Sequence, residues 1–565
     1  MSRFNTRGAR PAASSPVTTT GERTVTHEGA TAHLRDAKSE LFLLAVSNFV
    51  SQDTFYETGG RRDDRFTALV RQLAADDPAW TAGLLGWLRG EGNMRTAALV
   101  GAAEFVHARL EADRAAAPGQ TAAEGALPYS NRAVIASVLQ RADEPGEMLG
   151  YWTSRHGRRL PKPVKRGVAD ALQRLYDERS LLKYDTDSKG FRFGDVLELV
   201  HAAPSPDRAW QGPLFKHALD RRHGRDESIP EQLAMLRRRA KLMSMPVPDR
   251  RALLRDPWDR TLLDDAGMTW EALAGWVQGP LDAAAWEAVI PSMGLMALAR
   301  NLRNFDQAGV CDAVAATVAS RFADAGQVRR SRMFPFRWWA AYKAAPSLRW
   351  AHALEQAIGH SLANVPALHG RTLILVDRSP SMFPGYGYST PNRSDISLAE
   401  QAAVFGSALA MRAERPTLVE FGQTSNVMSV PNGGSVLRLV EAFGQIGGTD
   451  IPSAVKKHFD GHDRVVIVTD EQTRPGWLPS NCSGYGGMRE TQIDDLIPGT
   501  VPVYMWNMAG YREAATASGG GNRHALGGLT DAAFRMIPLL DAGRDASWPW
   551  EQQGPSTGSD ARRQS

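Results

Sequence analysis

The sequence contains very little cysteine. Cys311 and Cys482 are the only two among 565 residues, and they stand far apart. Two separated cysteines cannot supply the paired spacing of a structural zinc site, and they do not form a disulfide framework. This scarcity favours a reducing compartment and predicts a cytoplasmic protein.

Long apolar runs are also missing. No stretch approaches the ~20 residues that a helix needs to cross a bilayer. The first twenty residues are basic and polar, without the apolar centre of a secretory signal. We therefore expect no membrane partner.

The sequence shows neither a nucleophile beside a base nor a second carboxylate-rich metal site, so we expect a protein that is not an enzyme. The formal net charge is +4, the pI is about 9.0 and arginine is abundant. These properties point toward anionic partners.

A chain of this length needs two or more cores. Residues 1–35 are polar with few large apolar side chains and are predicted to be a disordered basic arm, and residues 546–565 a disordered tail. Between them, residues 36–365 show helical spacing with almost no strand signal, which suggests an α-solenoid of HEAT-like repeats. Helices are predicted at 65–75, 79–89, 94–112, 131–141, 164–176, 231–242, 293–305 and 311–323.

Residues 366–545 alternate strands with helices, which predicts a doubly wound α/β domain. The predicted order is a strand from 372, helix 398–412, strand 417–421, an antiparallel edge strand 427–430, helices 436–443 and 451–459, strands 465–468 and 501–506, and helix 531–540. Two insertions rich in Gly, Ser, Tyr and Pro, 384–395 and 475–490, follow metal-site strands and are predicted to form a lid.

A candidate metal site follows the first strand of this domain. Asp377, Ser379 and Ser381 form D-x-S-x-S, three hard oxygen donors on one loop. Such donors suit a hard divalent cation, Mg²⁺ first, with Mn²⁺ or Ca²⁺ as alternatives. Thr449 opens the helix from 451, and Asp470 follows the strand 465–468, so both join the same edge of the sheet. For D-x-S-x-S taken alone, an ordinary turn remains the alternative.

Two groups of cations are candidate RNA contacts. Lys162, Lys165 and Arg166 point away from the apolar face of their predicted helix, and few acidic residues interrupt the surrounding basic stretch. Arg300 and Arg303 share a face of a later helix. The alternatives are a solvated charged face for the first group and pairing with acidic neighbours for the second.

Four blocks resemble the TROVE domain: ELFLLAVSNFVSQDTFYE, GMTWEALAGW, WEAVIPSMGLMALARNLRNF and SRMFPFRWWAAYKA. The set Asp377, Ser379, Ser381, Thr449 and Asp470 resembles the metal-ion-dependent adhesion site of von Willebrand factor A domains. A TROVE domain followed by such a domain is the layout of the Ro family.

The Ro resemblance implies a monomeric ring of HEAT-like helices that binds small noncoding Y RNAs outside and single-stranded ends of misfolded RNA inside. It assigns His201 to the surface that grips Y RNA, together with the basic segment that contains Lys162, Lys165 and Arg166. It also leaves open an exoribonuclease partner in RNA quality control. We therefore expect a non-catalytic RNA scaffold. The alternative is a metal-dependent protein-binding adaptor in which the helical array is only a rigid arm.

Overall fold

A computed structural model describes most of the chain. The described residues are 12–47, 53–115, 129–225, 228–255, 261–345, 347–363, 365–383, 396–430, 435–479, 488–528 and 534–551. The chain divides into two compact units. A sheet unit comprises Met1–Leu69, Phe334–Phe336 and Leu362–Ser565, and a helical unit comprises Val70–Met333 and Arg337–Ser361. In the ranges given above, no helix is long and apolar enough to cross a membrane.

The chain begins with a hairpin and a helix that belong to the sheet unit: β1 Thr19–Val25, β2 Thr31–Arg35 and α1 Ala37–Ser47. A long series of helices then follows, as the apolar spacing predicted. They are α2 Gly59–Asp76, α3 Pro78–Gly90, α4 Arg95–Ala115, α5 Asn131–Val138, α6 Glu144–His156, α7 Lys162–Leu175, α8 Glu178–Tyr184, α9 Phe193–Val200, α10 Gln211–Arg222, α11 Ala234–Met243, α12 Val247–Arg255, α13 Thr261–Asp265, α14 Trp270–Val277, α15 Ala283–Val289, α16 Leu295–Ala308, α17 Asp312–Ala323, α18 Ala325–Ser331, α19 Pro335–Ala344 and α20 Ala351–Ser361.

Side-chain caps and close packing fix several of these helices. Ser130 accepts a hydrogen bond from the Ala133 N–H at the start of α5, which satisfies one of the unpaired first-turn donors. Helix α7 packs closely on α5 because Gly167 has no side chain. A Cβ at this position would lie 2.7 Å from the Arg132 carbonyl oxygen and 2.7 Å from the Ile135 Cβ.

The first and last parts of the helical unit meet. The Asn93 Nδ2 donates to the Arg332 carbonyl oxygen over 3.0 Å, and the Arg332 Nη1 donates to the Gly90 carbonyl oxygen over 2.8 Å. The helical unit is therefore closed on itself at this contact.

The sheet unit contains the remaining strands and helices: β3 Leu368–Asp377, α21 Leu398–Arg412, β4 Ala413–Phe421, β5 Ser425–Met428, α22 Val436–Glu441, α23 Ile451–His458, β6 Arg464–Thr469, β7 Gly476–Pro479, β8 Met488–Thr491, α24 Ile493–Leu496, β9 Val503–Asn507, β10 Glu513–Ala514, β11 Arg523–Gly527 and α25 Met536–Asp541. The main sheet has the order β11-β9-β6-β3-β4-β5. Its strands are parallel except β5, which pairs antiparallel with β4 at the edge, as the sequence predicted.

This sheet is a doubly wound core, as predicted. Apolar side chains of β3, β6 and β9, including Leu373, Ile467 and Met505, pack with residues of α23 and are fully or almost fully buried. Strands buried on both faces read as continuous apolar runs, which is why the sequence pattern identified them.

The structure corrects the prediction that residues 1–35 form a disordered arm. Of residues 1–35, the described part, 12–35, is ordered and contains the antiparallel hairpin of β1 and β2. Strand β2 also pairs with β10, from the far end of the chain. The arm has few large apolar side chains, but main-chain pairing and a buried ion pair of Arg35 with Glu471 hold it in place.

The domain boundaries differ from the prediction in two places. Residues 36–69 belong to the sheet unit, because α1 is buried on most sides and its Ser47 hydroxyl donates to the Asn507 carbonyl oxygen at 3.2 Å. Within the predicted tail, Trp548 is buried and its ring packs 5.2 Å from that of Phe42. The rest of the tail, 552–565, lies outside the described residues.

The structure describes part of one of the two insertions that are predicted to form a lid, and none of the other. Residues 384–395 lie outside the described residues, so the first prediction stays untested. Within 475–490, strands β7 and β8 pair antiparallel.

Candidate functional site

The two predicted carboxylates lie at one edge of the main sheet. Strands β3 and β6 are parallel neighbours, so their carboxyl ends meet. Asp377 ends β3, and Asp470 directly follows β6. Both side chains are completely buried. Two acidic groups without exposure to water require polar partners or a cation.

The loop after β3 supplies such partners to Asp377. Its Oδ1 accepts from the Ser379 N–H at 2.8 Å, and its Oδ2 accepts from the Thr469 hydroxyl at 2.5 Å. The Ser379 and Ser381 hydroxyl oxygens are 3.1 Å apart. The D-x-S-x-S motif thus forms one compact group of oxygen atoms.

Asp470 is less well satisfied. Its Oδ1 accepts from the Gln472 N–H at 3.2 Å, whereas its Oδ2 is buried with no hydrogen-bond partner in the described part of the chain. A buried carboxylate oxygen without a partner costs free energy, and a bound cation would remove that cost. The donor set therefore fits a hard divalent ion.

Both carboxyl groups have raised pKa values. Burial raises the pKa of Asp377 to about 6, although hydrogen bonds from Ser379 and Thr469 oppose the shift. Burial and the charge of Asp377 raise the pKa of Asp470 to about 7. Without a counter-ion, each proton-free form is therefore disfavoured.

Thr449 contacts the segment that follows Asp470 through its main chain. Its carbonyl oxygen accepts from the Arg474 N–H at 2.7 Å, in the segment that follows Asp470. Thr469, which the sequence analysis did not assign to the site, contacts Asp377 directly. Its position as the last residue of β6, immediately before Asp470, is the signal that could have identified it.

Arg378 belongs to the D-x-S-x-S motif, but its side chain forms hydrogen bonds with residues outside the candidate metal site. The guanidinium donates to the Gly444 and Ala399 carbonyl oxygens at 2.6 Å each and lies 4.9 Å from the Phe383 ring centroid. Among the described residues, no group of three or more His, Cys, Asp or Glu side chains could hold a metal. The candidate centre accordingly combines only two carboxylates with neutral hydroxyls.

The first basic group lies at the amino end of α7. Lys162 and Arg166 are exposed and Lys165 is half-buried, while Val164 and Val168 face the protein interior. None of the three cations has an ion pair within the described residues. Cations in a first turn oppose the helix dipole, so this placement does not stabilise the helix.

Neighbouring arginines divide into free and paired groups. Arg155, Arg158 and Arg159, just before α7, are exposed and have no ion pair in the ranges that the structure describes. Arg179, in contrast, pairs with Asp264 at 3.1 Å. Within the described residues, unpaired charge is therefore concentrated in the amino-terminal half of the basic stretch.

His201 ends α9 in the left-handed conformation, with φ of 55°, and is exposed. The Gln173 Nε2 donates to the Ala203 carbonyl oxygen at 3.0 Å, so the end of α9 lies near the carboxyl half of α7. Eleven residues of helix, about 16 Å, separate Gln173 from Lys162.

Arg300 and Arg303 lie on the exposed face of α16 and have no ion pair with any described residue. Met296, 49% exposed, and the exposed Asn304 share this face, whereas Leu298 and Leu302 are buried. Pairing with acidic neighbours therefore does not explain these arginines.

Comparison with known proteins places these features in a family context. Residues 265–355 match the TROVE domain. The fold matches the crystal structure of the Deinococcus radiodurans Ro (RSR) protein with a TM-score of 0.57 and 17% sequence identity, covering 90% of this chain and 100% of that one. A search among curated proteins found no match. The chain therefore contains a region that matches the TROVE domain, and it has the fold of a Ro protein.

Proposed function

We propose that this protein is a non-catalytic RNA-binding scaffold. The observation that carries the proposal is the group Lys162, Lys165 and Arg166 at the start of α7. A helix amino terminus attracts phosphate through its free N–H groups and its dipole, and three unpaired cations add to that field. The TROVE match supports RNA as the source of the phosphates. A Y-like noncoding RNA in a cytoplasmic ribonucleoprotein is the expected ligand.

The second proposed surface is the α16 face with Arg300 and Arg303. Two free arginines beside an exposed methionine suit a single strand, because cations contact its phosphates while apolar groups accept unstacked bases. The self-closed helical unit supports a channel for the single-stranded end of a misfolded RNA. An exoribonuclease that degrades such an end is a proposed partner.

A tailed duplex provides the test of function. We expect the protein to bind a stem with a single-stranded 3′ tail about tenfold more tightly than the same stem with blunt ends. Arg300→Glu with Arg303→Glu should erase this difference and leave stem binding unchanged. Fluorescence anisotropy with both RNAs measures the two affinities.

Arg23→Glu with Arg61→Glu is the control pair, since both residues are exposed and belong to the sheet unit. It changes the net charge equally and should keep the preference for the tail. Equal affinities for tailed and blunt stems in the unaltered protein would remove the single-strand site, and no RNA affinity at all would remove the proposed function.

The proposed cofactor is a divalent cation, Mg²⁺ first, held by Asp377, Ser379, Ser381, Thr449 and Asp470. The unpartnered Asp470 Oδ2 supports this assignment, and Thr469 positions Asp377. Such an ion would supply an electrophilic position for an outside carboxylate or phosphate.

The raised pKa values of the two carboxyl groups predict that the metal stabilises the fold by an amount that depends on pH. In the unfolded chain these groups titrate near 3.8, so between pH 4 and 7 the metal-free folded state holds more protons. Its stability therefore falls as the pH rises through this window, by up to about 1.4 kcal/mol per pH unit for each extra proton. Mg²⁺ replaces those protons, so it should raise the melting temperature strongly at pH 8 and hardly at pH 5.

Asp470→Asn removes one buried charge and should raise the metal-free melting temperature at pH 8 while abolishing the Mg²⁺ effect. Asp460→Asn, at a fully exposed site, should leave the Mg²⁺ effect intact. A Mg²⁺ effect that is equal at pH 5 and pH 8 would contradict the assignment of these two carboxylates.

A metal-dependent protein adaptor is the second candidate function. The under-neutralised pair of carboxylates favours it, because an ion held there would accept an acidic side chain of a partner protein. The ratio of absorbance at 260 and 280 nm after purification separates the two, since only the scaffold carries nucleic acid with it.

A further inference from the structure

A cavity of about 180 Å³ lies in the helical unit among α6, α8 and the ends of α7 and α9. Tyr176 and Phe193 form its aromatic floor, stacked with their centroids 3.7 Å apart and their planes within 6°. Phe191 and Tyr184 line its sides, and the exposed Gly190 marks its mouth. A cavity of about 150 Å³ admits a benzene ring, so this one fits a single planar ring system.

The walls of the cavity are held open by packing. Gly146 and Gly150 lie one turn apart on α6 and face Phe191. A Cβ at position 146 would lie 3.0 Å from the Phe191 carbonyl oxygen, and one at 150 would lie 3.7 Å from its ring. Larger side chains there would displace the aromatic wall.

One polar group in the cavity has no partner. The Tyr176 side chain is almost fully buried and its hydroxyl makes no hydrogen bond within the described residues. Burial and the nearby charges of Asp185 and Asp143 raise its pKa well above the usual range, so it remains a neutral donor. A purely apolar ligand would leave this hydroxyl unsatisfied, whereas a ring with polar edges would pair with it.

Acceptors and cations complete the chemistry. Glu147, which is partly exposed, pairs with Arg95 through its Oε2, and Lys189 lies 3.7 Å from its Oε1 at the mouth, so the carboxylate keeps acceptor capacity at this oxygen. Arg141 and Lys183 lie against the Tyr184 ring at 5.6 and 5.1 Å. Arg141 and Lys189 are paired with the carboxylates of Asp143 and Glu147, so Lys183 is the rim cation without an ion pair in the described part of the chain. A flat polar ring inside the cavity and a cation beside the Tyr184 ring match the base of one nucleotide and its phosphate.

We infer that this cavity binds a nucleobase with an exocyclic amino group, stacked on the aromatic floor and hydrogen-bonded to the Tyr176 hydroxyl and Glu147. The favoured source is an unpaired base of bound RNA, and this choice rests on the proposed function. Tyr176 directly follows α7, whose other end carries Lys162, so one helix of about 21 Å links the phosphate surface to the base cavity.

Tyr176→Phe is the decisive variant because it removes only the unpartnered hydroxyl. If the tyrosine were merely structural, its loss would leave the fold as stable as before or more stable. As a ligand contact, its loss should weaken binding of a stem with one unpaired adenosine about fivefold, with an unchanged salt dependence. The same RNA with an abasic nucleotide at that position should bind both proteins equally.

Three further measurements make the result unambiguous. A 2-aminopurine in place of the adenosine should lose fluorescence on binding, and Phe191→Ala should restore it. AMP titration tests a free nucleotide. Tyr151→Phe is the matched control, since that hydroxyl donates to Glu104 outside the cavity at 2.7 Å and should not affect base binding.

Unchanged RNA and AMP affinities in Tyr176→Phe would overturn the inference while leaving RNA binding at α7 standing. AMP binding that depends on Tyr176 in a protein without RNA affinity would uphold a nucleotide cavity and reject the RNA scaffold. Equal competition by N-acetyltryptophanamide for the AMP site would overturn it in favour of an aromatic peptide side chain.

Discussion

Replacing Lys162, Lys165 and Arg166 together by glutamate is expected to weaken binding of a stem-containing RNA by at least about 100-fold. Phosphate contacts contribute most of non-specific affinity, roughly 1 kcal/mol each, so three lost contacts amount to about 3 kcal/mol. Repulsion between the new carboxylates and the phosphates adds to this loss. Each contact removed should also lower the slope of log K against log salt by roughly 0.7 to 0.9.

The position of these residues allows the experiment to separate a lost RNA contact from a damaged helix. All three lie in the first turns of α7, where no acidic residue is present. Glutamates there interact favourably with the helix dipole, so the variant should be as stable as the unaltered protein or slightly more stable. A loss of RNA affinity with an unchanged melting temperature therefore reports the ligand contact and not a damaged helix.

Arg23, Arg61 and Lys456 provide a control of equal charge, because all three are exposed in the sheet unit. Their replacement by glutamate should change RNA affinity only a few-fold at physiological salt, where charges that do not contact the bound RNA are screened. An unchanged salt slope in the α7 variant would identify that cluster as a solvated face, and equal losses in both variants would indicate only a net-charge effect.

The parts of the fold that sequence could predict are those with a strong local pattern. The apolar run before Asp377 matches β3, and the helical spacing from 398 to 412 matches α21 in both bounds. The candidate metal site could be predicted from local patterns as well. The D-x-S-x-S motif begins at Asp377, where β3 ends, and Asp470 directly follows the end of β6. These features depend on near neighbours in the chain.

The features that escaped prediction depend on distant pairing. The exposure of β1 is nearly uniform, so it shows no alternation between buried and exposed residues. Its partner β2 meets β10, almost 500 residues later, a strand of only two residues. The cavity at Tyr176 likewise requires side chains from several helices. No local pattern indicates which tyrosine hydroxyl will remain without a partner.

Arg35 illustrates how such distant pairing is stabilised, and its removal is expected to have the largest effect on stability. Both Arg35 and Glu471 are almost completely buried, and the Arg35 Nη2 contacts the Glu471 Oε1 at 2.5 Å. Arg35 also donates to the Tyr511 and Glu513 carbonyl oxygens at 2.7 and 3.0 Å. One side chain thus ties the hairpin to the loop that follows Asp470 and to the segment containing β10.

Arg35→Met should lower the stability of the sheet unit by about 3 to 5 kcal/mol, since it leaves the Glu471 carboxylate buried without a counter-charge. The Asn507 Nδ2 and the Ala515 N–H still donate to that carboxylate, at 2.9 Å each, but they carry no full charge. Urea unfolding measures the loss. Hydrogen exchange at β1 and β2 shows whether the hairpin detaches first.

A double-mutant cycle with Glu471→Gln separates the ion pair from the rest of the contact. Glu471→Gln alone leaves a buried guanidinium facing a neutral amide, so it should also destabilise the protein. The double variant has no buried charge at this position, and its loss should therefore be smaller than the sum of the two single losses by more than 1 kcal/mol. Additive losses, or a loss below about 1 kcal/mol for Arg35→Met, would mean that main-chain pairing of β2 with β1 and β10 holds the hairpin without the ion pair. In that case the order of residues 19–35 would depend on strand geometry alone.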